Sequence, residues 1–198
     1  MKLLVGLGNP GEEYEATRHN VGFLVAEEFR RRHGGGREGR RAQAFVSRVR
    51  MGAESIFVAR PLTFMNRSGA AVAALLAQVD AEPRDLLVVC DDLYLDFGVL
   101  RLKARGSHGG HKGLRSIMEM LGTQAFPRLR IGVGPAPAGT THADYVLSQF
   151  RRAEARELPS VVEAAVNCVE VTVLEGLEAA MNRFNRSASP KGDEAEGR

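Results

Sequence analysis

The sequence predicts an α/β fold: a single domain with a mixed central β-sheet flanked by α-helices. Three observations predict it. Short apolar runs alternate with segments of helical periodicity along the chain. Glycine, proline or asparagine closes most of these segments. With 44% hydrophobic residues among 198 positions, a domain of this size buries its own core without staples.

In chain order, residues 2–7 (KLLVGL) form a buried strand ended by Gly-Asn-Pro-Gly. Residues 21–32 carry Val21, Leu24, Val25 and Phe29 at helical spacing, with Asn20 as N-cap. The Gly-rich stretch 33–41 is a loop. Residues 44–51 and 55–61 pair as a hairpin around Gly52. Residues 68–79 are helical, capped by Asn66 or Ser68. A buried strand follows at 85–92, an alternating strand at 98–105, and a helix at 111–122 ended by Gly122. Residues 128–134 are a further strand. After Phe150, Leu158, Val162, Ala165, Val169, Val173, Leu177 and Met181 make one apolar helical stripe, with Pro159 placed in the first turn. The polar residues 187–198 are expected to be a disordered tail.

Charge is unevenly distributed. The chain totals +3, yet residues 30–41 carry +5 and residues 101–130 carry +6, which leaves the remainder at −8. Such segregation suggests a polyanion partner, while a solvated basic loop would also account for 30–41. The two cysteines, Cys90 and Cys168, lie in apolar runs and read as buried free thiols. The N-terminal apolar run is broken too early for a signal peptide. No run approaches the roughly 20 residues needed to span a bilayer. A reducing cytoplasm is the expected setting.

Polar groups collect where strands end, the place where open α/β sheets build their sites. Gly8, Asn9, Pro10 and Gly11 follow the first strand, with Tyr14 and Thr17-Arg18-His19-Asn20 beyond. Phe64, Met65 and Asn66 follow the 55–61 strand, Asp91 and Asp92 follow residue 90, and His108, His111 and Lys112 sit in the glycine cluster 106–113. A neutral imidazole at His19 suits general-base chemistry, with Asp91 as the carboxylate that fixes its tautomer. Position alone also allows His19 to be a surface residue capping the next helix. Asn9 and Asn66 each offer an amide with donor and acceptor, or serve as turn and cap residues.

Three other chemistries are weakly supported. Gly6, Gly8 and Gly11 match a dinucleotide fingerprint, but Pro10 lacks an N–H and the turn does not run straight into a helix. A metal set of His108, His111 and Asp91 lacks a second ligand pair of known spacing. No G-x-S-x-G elbow occurs.

Four ordered blocks together resemble the bacterial peptidyl-tRNA hydrolase family. They are VGLGNPGEEYEATRHNVGFLVAEE (5–28), RPLTFMNRSGAAV (60–72), VVCDDLYLDFGVLRLKARGSHGGHKGLRSI (88–117), and RLRIGVGPAP (128–137) followed by ADYVLSQF (143–150). The resemblance implies a catalytic domain over 1–186 that cleaves the ester between a peptide and the terminal ribose of tRNA, freeing tRNA for translation. No metal or other cofactor is implied. By position, His19 matches the family's base, Asp91 the acid that holds it, and Asn9 the residue that distinguishes blocked from free aminoacyl ends. Tyr14, Phe64 and Asn66 match residues lining the substrate site. Lys103 and Arg130 match a basic pair that clamps the tRNA 5′-phosphate. The implied partner is tRNA, with no membrane, and the implied state is a monomer. Two positions depart: Lys112 stands where the family usually has asparagine, and Tyr94 where aspartate is common. Lys112 is therefore expected to meet a phosphate or the ester carbonyl. The alternatives are a module that binds RNA without turnover, or a thiol hydrolase using Cys90.

Overall fold

The computed structural model describes residues 1–185; the expected tail at 187–198 lies outside them. Seven strands form one mixed sheet in the order β2-β3-β4-β1-β5-β7-β6. They are β1 Leu3–Gly6, β2 Gly39–Arg41, β3 Ala44–Met51, β4 Glu54–Pro61, β5 Leu86–Asp96, β6 Leu100–Lys103 and β7 Arg128–Gly134. β1 lies between β4 and β5, parallel to both, and β5 runs parallel to β7. The outer pairings β2–β3, β3–β4 and β6–β7 are antiparallel. β1, β4 and β5 point the same way, so the residues that follow β1 and β4 collect at one edge of the sheet, beside Asp91 and Asp92, which lie within the longer β5 rather than after it as the sequence suggested.

Six helices cover the two faces: α1 Val21–Arg32, α2 Ser68–Gln78, α3 Lys112–Leu121, α4 His142–Leu147, α5 Arg152–Leu174 and α6 Leu177–Phe184. One core cluster joins Leu4, Val58, Leu87 and Val89 to Val25 and Phe29 of α1 and Val162, Val166 and Val169 of α5. The other joins Leu3, Val5, Val88 and Cys90 to Val72 and Leu75 of α2 and Leu114 and Ile117 of α3. Alternate residues of β1 and β5 feed opposite clusters, so both central strands are buried on both sides and read as unbroken apolar runs. Among the described residues, no helix is long and apolar enough to cross a membrane.

Several local expectations need correction. Residues 33–41 are not all loop, because Gly39–Arg41 form an exposed edge strand on β3. Neither Asn66 nor Ser68 caps α2: a 3-10 turn over Met65–Arg67 leads into it, and the Ser68 hydroxyl donates back to the Met65 carbonyl at 2.9 Å. Asn20 precedes α1 without capping it, since its amide is used elsewhere. Pro159 lies well inside α5, past its first turn. The C-terminal stripe is split over two helices, because Gly176 at φ 94° ends the first; that left-handed region favours glycine. Two expectations carry over directly. Gly52 turns the β3–β4 hairpin at φ 61°, and Gly122 ends α3 at φ 65°.

The candidate active site

Close backbone contact brings the site together. A Cβ on Gly22 would lie 2.4 Å from the Val89 carbonyl oxygen and 2.6 Å from the Leu7 amide nitrogen, and one on Gly6 would lie 2.1 Å from the Gly22 carbonyl oxygen. The first turn of α1 therefore sits directly on the end of β1 and on β5 at Val89. His19, in the 3-10 turn just before α1, is thereby set against Asp91, two residues beyond Val89. On the other side, a Cβ on Gly113 would meet Met65 Sδ at 2.5 Å, so the start of α3 is pressed against the 65–67 turn.

His19 Nδ1 lies 2.7 Å from Asp91 Oδ1, and both side chains are buried. A second imidazole, noted in the sequence only as a weakly supported metal ligand beside Asp91, bonds the same oxygen: His111 Nε2 lies 3.0 Å from it. The signal was present, since His111 precedes a helix, but only the fold brings it to Asp91. His111 caps α3, its Nδ1 accepting from the Leu114 amide at 3.2 Å. A nitrogen that accepts an N–H carries no proton, so in neutral His111 the proton sits on Nε2 and is donated to Asp91. Asp91 also takes the Nδ1 proton of His19, and among the described residues the His19 Nε2 has no hydrogen-bond partner. Burial would push the Asp91 carboxyl up, but the hydrogen bonds from the two imidazoles, and the positive charge either ring gains on taking a proton, outweigh it and hold it well below the usual carboxylate range.

Around this pair opens a cleft of about 660 Å³ lined by Asn9, His19, Phe64, Asn66, Asp91, Lys112 and Arg130 among others. Seven of the nine residues singled out in the sequence thus meet at one place. Tyr14 and Lys103 are not in its lining. Tyr14 belongs to a 3-10 turn, and its carbonyl accepts from the Thr17 hydroxyl at 2.7 Å. Lys103 is exposed at the end of β6, opposite Arg128 in the β6–β7 register.

Asn9 is held more tightly than expected. Its side-chain oxygen accepts from the Met65 amide at 2.8 Å. Its own backbone N–H and carbonyl are bracketed by the Asn20 amide at 2.8 and 3.0 Å. One lone pair of the Asn9 oxygen is therefore engaged and the other stays open, while among the described residues its NH₂ has no partner. Asn66 is exposed, and among the described residues its amide has no partner. Phe64 and Tyr94, 56% and 65% exposed, give the rim an apolar character.

Arg130 Nε lies 3.0 Å from Asp92 Oδ2, an ion pair without a directed hydrogen bond. Arg18, noted in the sequence beside His19 but given no role there, anchors His19 from behind. It is 1% exposed, donates to the Ser148 hydroxyl at 2.9 Å and the Gln149 carbonyl, pairs with Glu154 at 2.5 Å, and lies over the Tyr145 ring at 4.5 Å. Cys90 is fully buried, its thiol is pushed up by burial, and it does not line the cleft.

The three side chains nearest to a metal set are His19, Asp91 and His111, with His108 outside it. Their atoms face one another at hydrogen-bond distances, and the Nε2 of neutral His111 is protonated as long as α3 keeps its cap. That donor set does not fit a cation without giving up the cap.

A family model described as Peptidyl-tRNA hydrolase matches residues 3–192. The chain belongs to the peptidyl-tRNA hydrolase family. Peptidyl-tRNA hydrolase of Chloroflexus aggregans is 50% identical over 186 residues, 93% of this chain and 99% of that one. That of Syntrophomonas wolfei is 46% identical over 185 residues, 93% and 100% of the two chains. The solved peptidyl-tRNA hydrolase of Acinetobacter baumannii has the same fold, with a TM-score of 0.88 at 33% identity, covering 93% of this chain and 94% of that one.

Proposed function

We propose that this peptidyl-tRNA hydrolase family member cleaves the ester between a peptide, or an N-blocked amino acid, and the terminal ribose of tRNA, using water activated by His19 and no metal. The observation that carries the mechanism is the 2.7 Å contact of His19 Nδ1 with Asp91. It directs the other ring nitrogen, Nε2, to act as the base.

Water gives a proton to His19 Nε2 as its oxygen attacks the ester carbonyl. Asp91 offsets the charge of the imidazolium. The Asn9 NH₂ is a donor for the oxyanion or for the peptide carbonyl next to the ester. Collapse breaks the bond to the ribose oxygen, which takes the proton back from His19, leaving a peptide acid and free tRNA. Phe64 and Asn66 line the path of the substrate, Tyr14 supports it from outside the cleft, and Lys112 meets it at the mouth. Lys103 and Arg130 are assigned to a phosphate of the tRNA; Arg130 reaches one only by sharing its charge with Asp92.

The test is single-turnover hydrolysis of N-acetyl-aminoacyl-tRNA by wild type and His19→Ala. The variant is expected to lose a factor on the order of 10²–10⁴ in rate while still binding tRNA. Equal rates would remove His19 as the base.

A further inference from the structure

We propose that Lys112 and Arg67 together form an anion subsite in the cleft, which holds a negatively charged group of the substrate, either a phosphate or a carboxylate. This rests on the ester-hydrolase reading of the cleft and names a feature of the substrate that the cleft selects.

Both cations line the cleft, and both are exposed. They share one wall. Met65 is in contact with Gly113, and the Gly69 amide donates to the Ser116 hydroxyl at 3.0 Å. Segments 65–69 and 113–116 therefore run side by side, with Arg67 on one and Lys112 just before the other.

The cleft offers these cations nothing to pair with. Its lining holds two carboxylates. Asp91 is occupied by two imidazoles. Asp92 holds Arg130 through Oδ2 and accepts from the Tyr94 amide through Oδ1 at 2.9 Å. Among the described residues, neither Lys112 nor Arg67 has a carboxylate within 4.0 Å. Arg30, Arg31, Arg32, Arg60, Arg115 and Arg183 are paired with carboxylates, and among the described residues Arg37, Arg48, Lys103 and Arg105 are not; Lys112 and Arg67 differ from these last four in lining the cleft. Two unpaired cations on one wall of a cleft partly closed from solvent are complementary to a substrate anion.

Two groups of the proposed substrate qualify: the phosphate on the 5′ side of the terminal adenosine, and an acidic side chain on the esterified residue. Non-hydrolysable amide analogues separate them. The probes are 3′-(N-acetyl-leucylamino)-adenosine with and without a 5′-phosphate, and the unphosphorylated glutamyl and glutaminyl counterparts. Calorimetric Kd values are measured for wild type, Lys112→Gln, Arg67→Gln and the double variant. In wild type, the charged member of one pair is expected to bind about tenfold tighter than its neutral partner, the size of one charge-assisted contact. The double variant is expected to bring that ratio close to one.

A phosphate-dependent ratio assigns the subsite to RNA, and a Glu-dependent ratio assigns it to the peptide. No preference in either wild-type pair, or a preference that survives the double variant, overturns the subsite. Each ratio compares two ligands on the same protein sample, so partial misfolding cancels. Turnover plays no part in these ratios, so a chain that fails to hydrolyse blocked aminoacyl-tRNA would overturn the hydrolase reading separately.

Discussion

Asp91 Oδ1 accepts from two imidazoles at once, and the two have different second commitments. His111 is bound at both nitrogens, one to a helix amide and one to Asp91, whereas His19 keeps one nitrogen for chemistry. His111→Asn separates the two duties of His111, because asparagine is a good N-cap but its shorter side chain does not reach Asp91. Stability to urea should fall by about 1.5–3 kcal/mol, the contribution of a hydrogen bond to a buried charge, because the cap itself is kept. The rate on N-acetyl-aminoacyl-tRNA should fall about tenfold, reflecting a lost hydrogen bond to a charged group. An unchanged rate would show that His111 serves α3 alone. The thiols behave differently. Burial pushes Cys168 up to about 12, and Cys90 is raised too. Above the unfolded thiol value of about 8.5 the unfolded chain loses protons that the folded chain keeps. Stability should therefore be insensitive to these groups below that pH and decline as pH rises from there toward 12. Iodoacetamide at pH 8 should label neither cysteine until urea unfolds the protein, as mass spectrometry would show.

At the scale of elements, the crossing of α1 over β1 and β5 sets the distance between base and acid. Gly22 permits it because no Cβ fits between the helix and the Val89 and Leu7 backbone. Gly22→Ala must lift α1, an overpacking defect of about 1–3 kcal/mol, and should lower activity further because His19 moves with the helix. Gly36→Ala is the control: nothing lies within 4 Å of its Cβ, and its effect on urea unfolding should stay within about 0.5 kcal/mol. Equal unfolding midpoints would mean the crossing is slack. The other end of the sheet shows a different device. Edge strand β6 is closed by a side chain, with the Asn185 amide bonding the Leu102 N–H and carbonyl at 2.7 and 2.8 Å. Helix spacing alone had joined α5 and α6 into one stripe. A glycine at positive φ, a backbone property, divides them.

For the whole molecule, the charge pattern means something different from what segment sums suggest. Much of the +5 of residues 30–41 is consumed locally. Arg30 pairs with Glu27, Arg31 with Glu28, and Arg32 with Glu170. In 101–130, Arg128 is buried with its guanidinium bonded to the carbonyls of Gln124, Phe126 and Gly106, and Arg115 pairs with Glu119. Lys103, Arg105 and Lys112 remain exposed. Salt dependence should follow these free cations. Lys103→Gln should reduce the slope of log(kcat/KM) against log salt by about one, whereas Arg31→Gln, which removes a locally paired charge, should leave it unchanged. The reverse order would place RNA on the α1 side. Strand and helix periodicity made the architecture legible. The anchoring of Arg18, the hydrogen bond of His111 to Asp91 and the Met65 amide on the Asn9 oxygen were not legible, because each depends on residues tens of positions away.

Periodicity and punctuation in the chain determined which segments are strands and which are helices, and the ordered motifs determined the family. These are local properties, carried by side-chain spacing and backbone preference. Only the tertiary structure decided which groups are already engaged. It gave Asp91 two imidazoles, tied the Asn9 oxygen to the Met65 amide, and neutralised arginines that counting had treated as free. A hydrogen bond or ion pair is a property of two groups within about 3–4 Å, and the fold rather than the spacing along the chain sets that distance.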